Sequence, residues 1–219
     1  MIERRPTIYV VDDDPDMLKS VARLLRANRF ETVVCSCARD FLSASPPDGD
    51  ACLVLDVGLP DLDGLRLHEQ VAARQGPPVV FITGDVDIPK CVRAMKAGAV
   101  DFLQKPFTEE DLLAAITTAV ARHHKERQQR EEVANIKALY ARLTAREREV
   151  MAHVVSGQLN KQIASDLGTA EKTVKVHRAR VMEKMRVVSV ADLVRQAGPI
   201  GLNSQRSEIP VSMSAKEGC

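Results

Sequence analysis

A few widely separated positions in this 219-residue chain carry side chains suited to holding a phosphoryl group: the acidic run Asp12, Asp13 and Asp14, a lone carboxylate at Asp56, a hydroxyl at Thr83 and an ammonium at Lys105. Clustered carboxylates repel one another, so bringing them together is costly unless a cation neutralises them. Mg²⁺ accepts such hard oxygen ligands and keeps waters that a phosphate can replace. A hydroxyl donor and an ammonium facing a metal-bound carboxylate would then meet phosphoryl charge from several directions. Each feature also has a plainer reading. Asp12 to Asp14 before Pro15 can cap a helix, and Lys105-Pro106 is a common turn, as is Thr83-Gly84. What capping does not require is that they recur, in chain order, at the ends of the first, third, fourth and fifth predicted strands.

Those strands are short β-branched runs at Ile8–Val11, Glu31–Cys35, Cys52–Leu55, Val79–Ile82 and Asp101–Leu103. Stretches of helical period lie between them, such as Met17, Leu18, Val21, Leu24 and Leu25 on one face. The repeated βα alternation predicts a doubly wound, five-stranded parallel sheet with helices on both faces, whose chemistry belongs at the carboxyl ends of the strands. Thr108 followed by Glu109, Glu110 and Asp111 predicts the N-terminus of a fifth helix. From Arg122 to Glu132 the chain is polar all round without Gly or Pro, which predicts a solvated helical connector with Glu126 and Arg130 as an (i, i+4) pair. Val133, Ile136, Tyr140 and Leu143 then form a heptad-like seam, either a short coiled coil or a face packed on the following domain.

That following domain predicts four short helices over residues 143–198. Their starts are marked by Thr144 with Glu147 as a capping box, by Asn160 and by Thr169, and their breaks by Gly157 and Gly168. The division expected is therefore an α/β domain over 1–122, a helical linker over 123–142, an all-α helix-turn-helix domain over 143–198 and a flexible tail over 199–219.

The segments VVDDD, LDVGLPDLDG, FITGD and MKAGAVDFLQKPF resemble the CheY-like receiver domains of response regulators. That resemblance implies Asp56 as phosphoacceptor. Asp13 and Asp56 would ligate Mg²⁺ with the Gly58 carbonyl, and Asp12 would act as an outer metal partner through water. Thr83 and Lys105 would hold the phosphoryl oxygens, and Phe102 would be the switch aromatic. Asp61 and Asp63, in a Pro/Gly turn, read as turn formers, and His68 as an ordinary helix-face residue. Residues 143–195 resemble the four-helix DNA-binding domain of the LuxR type, and the two modules together are similar to the FixJ and NarL group, with VMEKM, TVKVHRARVM and GDVDIP pointing towards FixJ.

In the helix predicted to start at Thr173, Val174, His177, Val181 and Met185 face a small core. The opposite side presents Lys172, Val176, Ala179 and Glu183 beside Lys175 and Arg180. Small central residues between cations suit entry into a major groove, with Val176 against a thymine methyl; the bland reading of such charges is a solvated face. Thr169-Ala170-Glu171-Lys172 replaces the Ser-Pro type of entry common in relatives, which bears on base preference. His177 reads as a packing residue.

Charge supports this division. Residues 1–122 carry 14 Lys/Arg against 19 Asp/Glu and residues 123–219 carry 17 against 11, hidden within an overall +1. A basic module favours a polyanionic partner. Five cysteines without CxxC spacing suit a reduced cytoplasmic protein, and no apolar stretch reaches membrane-spanning length. The partners implied are DNA, a sensor histidine kinase, a second copy on phosphorylation, and RNA polymerase. Two rivals use the same residues: a phosphatase working through an aspartyl-phosphate, and a DNA-binding protein whose receiver no longer takes phosphate.

Overall fold

The computed structural model describes residues 5–45, 47, 49–84 and 87–202. The chain divides into two compact units, up to Gln128 and from Gln129. In the first, β1 (Thr7–Val11), β2 (Glu31–Cys35), β3 (Ala51–Asp56), β4 (Val79–Thr83) and β5 (Asp101–Gln104) form one parallel sheet in the order β2-β1-β3-β4-β5. The alternation of side chains along a strand sorts the core into two layers. Ile8, Val10, Cys52, Val54, Val80 and Ile82 face one side, where Val21 and Leu25 of α1 (Pro15–Ala27) and Leu112, Ile116 and Ala119 of α5 (Glu109–Ala141) cover them. Tyr9, Val11, Leu53, Leu55, Val79 and Phe81 face the other. That side is covered by Ala38 of α2 (Ala38–Ser43), by Leu65, Leu67 and Val71 of α3 (Gly64–Ala73) and by Ala94 of α4 (Ile88–Lys96). With two buried faces, β3 and β4 read as unbroken apolar runs, as a central parallel strand must.

Local signals set the helix ends. Asp14 caps α1, its side chain accepting from the amides of Asp16 and Met17. Thr108 Oγ1 accepts from the Asp111 amide at the start of α5.

The polar stretch that opens the connector is not simply solvated. His123 is buried, with Nδ1 accepting from the Ala51 amide at 2.9 Å. Asp50 is held by His124 at 2.7 Å and Arg127 at 3.0 Å. Burial raises the Asp50 carboxyl pKa, but the hydrogen bonds from His124 and Arg127 outweigh it, leaving that pKa below the ordinary value. Glu126 accepts from Arg122 at 2.8 Å.

The second unit contains α6 (Ala145–Val155), α7 (Asn160–Asp166), α8 (Glu171–Lys184) and α9 (Val190–Ala197). Ile136 and Leu143 are buried in its core with Val150, Met151, Ile163, Val174, Val181, Met185 and Leu193, and Tyr140 packs against them. Ile136, Tyr140 and Leu143 of the heptad-like seam therefore serve this core. The Thr144–Glu147 capping box is present. The start expected at Asn160 is met, α7 running from Asn160 after Leu159 as cap, whereas α8 begins at Glu171 after Ala170, just past the expected cap Thr169 and ahead of the expected start Thr173. The Leu159 side chain cannot accept from the first-turn amides, but the Leu159 amide donates to Gln162 Oε1, the reciprocal half of a capping box. The tail was expected from residue 199, yet Gly198–Ile200 forms a 3₁₀ turn and Ile200 and Leu202 pack on the core, because two apolar side chains there have a surface to cover. The rest of that expected tail, 203–219, lies outside the described residues.

Glu147 is almost fully buried, and Lys184 meets it at 2.6 Å. The Lys184 hydrogen bond, helped by the Thr144 amide, holds the Glu147 carboxyl below its usual pKa against the opposing effect of burial. A carboxylate with a depressed folded-state pKa contributes stability that is full above its unfolded value, about 4.3, and is lost as pH falls through the folded value. Lys184→Met strands the carboxylate and is expected to cost this unit about 3 kcal/mol at neutral pH, the low end for a broken buried pair because Lys184 stays partly in water. Urea unfolding followed by helical circular dichroism, with amide exchange at Val150 and Val154 assigning the loss, checks it. The deficit should shrink below pH 4.

Candidate functional site

The carboxyl ends of β1, β3, β4 and β5 bring the predicted phosphoryl-handling residues to one edge of the sheet. The acidic run divides its labour. Asp14 caps α1, while Asp12 is fully buried, its Oδ1 accepting from the Asp14 amide at 2.9 Å. Asp13, between them, is exposed. Asp56, expected just after the third strand, is instead the last residue of β3 and is buried. Lys105, just past β5, reaches across with Nζ 2.6 Å from Asp12 Oδ2 and 2.8 Å from Asp56 Oδ1. Burial lowers the Lys105 pKa, but its bonds to the two carboxylates more than offset this, so the ammonium is held above its ordinary pKa. Asp56 Oδ2 accepts from the Gly58 amide.

Thr83 ends β4, buried, and its carbonyl accepts from the Lys105 amide at 2.7 Å, tying the fourth and fifth strand ends together. Phe102 is half-buried on β5, beside Phe81 at 5.9 Å between ring centroids. Gly64 opens α3 directly against the end of β3: a Cβ there would stand 2.5 Å from the Asp56 carbonyl oxygen.

Asp12, Asp13 and Asp56 stand at the ends of adjacent strands, with one ammonium shared by Asp12 and Asp56, and a hard-oxygen donor set of this kind fits Mg²⁺. Among the described residues, no cluster of three carboxylate, histidine or cysteine side chains is gathered as a metal cage. Asp12 and Asp56 converge instead on Lys105.

Asp63 caps α3 through the Leu65 amide, as a turn former does. Asp61 does more than its turn required. Its two oxygens accept from the amides of Ala38 and Arg39, 3.1 and 3.0 Å away at the start of α2, which ties the loop after Asp56 to a helix on the far side of β3. No local sequence signal marks it, since its partners lie 22 and 23 positions earlier.

On α8 the expected faces separate cleanly. Val174 and Val181 are buried, whereas Lys172, Thr173, Lys175, Val176, Ala179, Arg180 and Glu183 are exposed. His177 is half-buried. Lys175 pairs loosely with Glu171 at 3.4 Å. Arg178 Nη1 donates to Asn160 Oδ1 at 2.9 Å, fastening α8 to α7.

Residues 8–117 match the model for the response regulator receiver domain, and residues 141–197 match that for bacterial regulatory proteins of the luxR family. The chain is a LuxR-type response regulator. Nodulation protein W of Bradyrhizobium diazoefficiens is 46% identical to it over 92% of this chain and 89% of that protein. Transcriptional regulatory protein FixJ of the same organism is 40% identical over 89% of this chain and 96% of FixJ. Among solved structures, the response regulator StyR superposes with a TM-score of 0.80 at 44% identity, covering 89% of this chain and 99% of StyR. The regulator thus pairs a receiver fold with a DNA-binding domain and regulates transcription. No helix among its described residues is long and apolar enough to cross a membrane.

Proposed function

We propose that the regulator is phosphorylated on Asp56 by a sensor histidine kinase, and that this drives it to dimerise and bind its DNA sites more tightly. The observation that carries the reading is the Lys105 ammonium, which joins Asp12 and Asp56 from elements far apart in the chain. The pairing sets an Asp56 oxygen beside the ammonium that would meet phosphoryl charge, with the carboxyl group at the end of β3 as the nucleophile. In the transfer, an Asp56 oxygen attacks the phosphorus of the kinase phosphohistidine; the O–P bond forms as the P–N bond breaks, and the imidazole leaves with the electron pair. Lys105 and Thr83 then hold the phosphoryl oxygens. Asp12, Asp13, Asp56 and the Gly58 carbonyl would hold Mg²⁺, which when bound neutralises charge on the transferring group. Capture of the phosphoryl group by Thr83 vacates space beside β5, into which Phe102 turns.

The face this reshapes is apolar at helical spacing on α4: Ile88, Val92 and Met95 are exposed. A symmetric pairing of two copies through α4 and β5 doubles the DNA contacts without new chemistry. In this reading, residues 1–122 receive the signal, 123–142 connect, and 143–198 carry the groove-facing residues Lys172, Thr173, Lys175, Val176, Ala179 and Arg180. The protein works in the cytoplasm, where Cys35, Cys37, Cys52 and Cys91, all unpaired, stay reduced, and it acts with RNA polymerase.

Sedimentation of the full chain with and without acetyl phosphate and Mg²⁺ tests the mechanism. The expected result is a doubling of mass that accompanies tighter DNA binding. Tighter binding at unchanged mass would refute dimerisation and leave relief of inhibition by the receiver.

A further inference from the structure

On α3 a histidine occupies a helix face that is otherwise hydrocarbon. Leu65, Leu67 and Val71 are buried around it, and His68 itself is only 4% exposed. Its Nδ1 has no hydrogen-bond partner. An orphaned buried polar atom costs about 1–3 kcal/mol, so a leucine would be the cheaper residue for packing alone. The ring stands edge-on to Phe81, with centroids 5.5 Å apart and planes at 85°. Phe81 in turn lies 5.9 Å from Phe102 with planes at 37°, and the two are register partners on β4 and β5. Three rings therefore run in a row from α3 across the sheet to its edge strand, on one face of the core.

Such a row transmits displacement. A close-packed interior has no slack, so Phe102 cannot move without changing how Phe81 sits on its other neighbour. That neighbour is an aromatic edge whose attraction for Phe81 depends on angle. Burial pushes the His68 pKa down and Arg122 adds to this against Glu69, so the ring is neutral near pH 7 and acts through its shape.

We propose that His68 is a positioning residue for the aromatic switch: by holding Phe81 edge-on, it sets the balance between the outward and inward placements of Phe102. It thereby sets how strongly phosphorylation of Asp56 promotes dimerisation. The proposal rests on Phe102 being the switch, as argued above.

The full chain is phosphorylated with acetyl phosphate and Mg²⁺, and three quantities are read: the rate of labelling, the protein concentration at half-dimerisation, and the Phe102 ring resonances by NMR. His68→Leu fills the volume without an aromatic edge. It is expected to label at the wild-type rate, move the Phe102 resonances, and shift the dimerisation midpoint about fivefold, the size of one lost edge-to-face contact. His68→Phe restores an aromatic edge and should return both readings towards wild type. His68→Met provides a second non-aromatic filler should the leucine variant fold poorly, with the same shift expected. A midpoint within about twofold of wild type and unmoved Phe102 resonances in a folded leucine or methionine variant overturn the proposal. Phe102→Ala separates the two levels: if its phosphorylated form dimerises like wild type, the switch reading itself fails, whereas loss of response there beside full response in the His68 variants defeats only the role of His68.

Discussion

Asp56→Asn is expected to reduce Mg²⁺-dependent labelling by acetyl phosphate to background. Asparagine keeps the size of the side chain and can still accept from the Gly58 amide, so the end of β3 should hold its place. It lacks the carboxylate that attacks phosphorus, and an amide oxygen bears too little charge to replace it. The substitution also leaves Lys105 with one carboxyl partner, Asp12, where it now has two at 2.6 and 2.8 Å. Asp12 does not inherit the reaction, because it is fully buried and committed to Lys105 and the Asp14 amide. Phosphorylation-driven changes in mass and DNA affinity should disappear with the label. Labelling of the variant at full stoichiometry would show that another residue is the acceptor. Multiple turnover of a small phosphate ester by the unmodified protein would point instead to a phosphatase.

The second large effect is expected on DNA. Lys175 and Arg180 are exposed on α8, flanking Val176 and Ala179. If both meet phosphates, for a single unphosphorylated copy on DNA the double change Lys175→Ala, Arg180→Ala removes two charge-assisted contacts of about 1.5 kcal/mol each, and affinity falls about a hundredfold. It should also flatten the salt dependence, lowering the slope of log K against log salt by about 1.8, since each neutralised phosphate accounts for about 0.9. The Lys175–Glu171 pair does not weaken this expectation, because an exposed (i, i+4) pair at 3.4 Å contributes little. Val176→Ala is the contrasting variant. It should leave the slope unchanged and relax preference at a single thymine, as loss of a methyl contact does. Titrations on one operator fragment at several salt concentrations measure both. An unchanged slope in the double variant would place these cations away from the DNA.

Much of the architecture was legible in the chain because it rests on local rules. Short β-branched apolar runs marked the five strands, helical periods marked the elements between them, and Thr144 with Glu147 marked its own capping box. Motif order placed Asp56, Thr83 and Lys105 at strand ends, since parallel βα winding puts every such end on one edge of the sheet. Where local rules allowed two outcomes, the reading slipped by a residue or two: Asp56 fell inside β3 and α8 began at Glu171.

Only the tertiary structure decided which distant groups meet. Lys105 bonds carboxylates 93 and 49 positions away, Asp61 caps a helix that precedes it, Asp50 anchors the start of the connector, and Glu147 finds Lys184. The acidic run shows the difference most plainly: composition could not say which of its members caps the helix and which turns inward, and the packing of β1 against β3 gave the cap to Asp14 and the buried ion pair to Asp12. Local patterns determine which elements form, because a backbone hydrogen bond or a helical face involves neighbours a few residues apart. Partners across elements depend on strand order, register and rotamer, which exist only once the sheet has assembled.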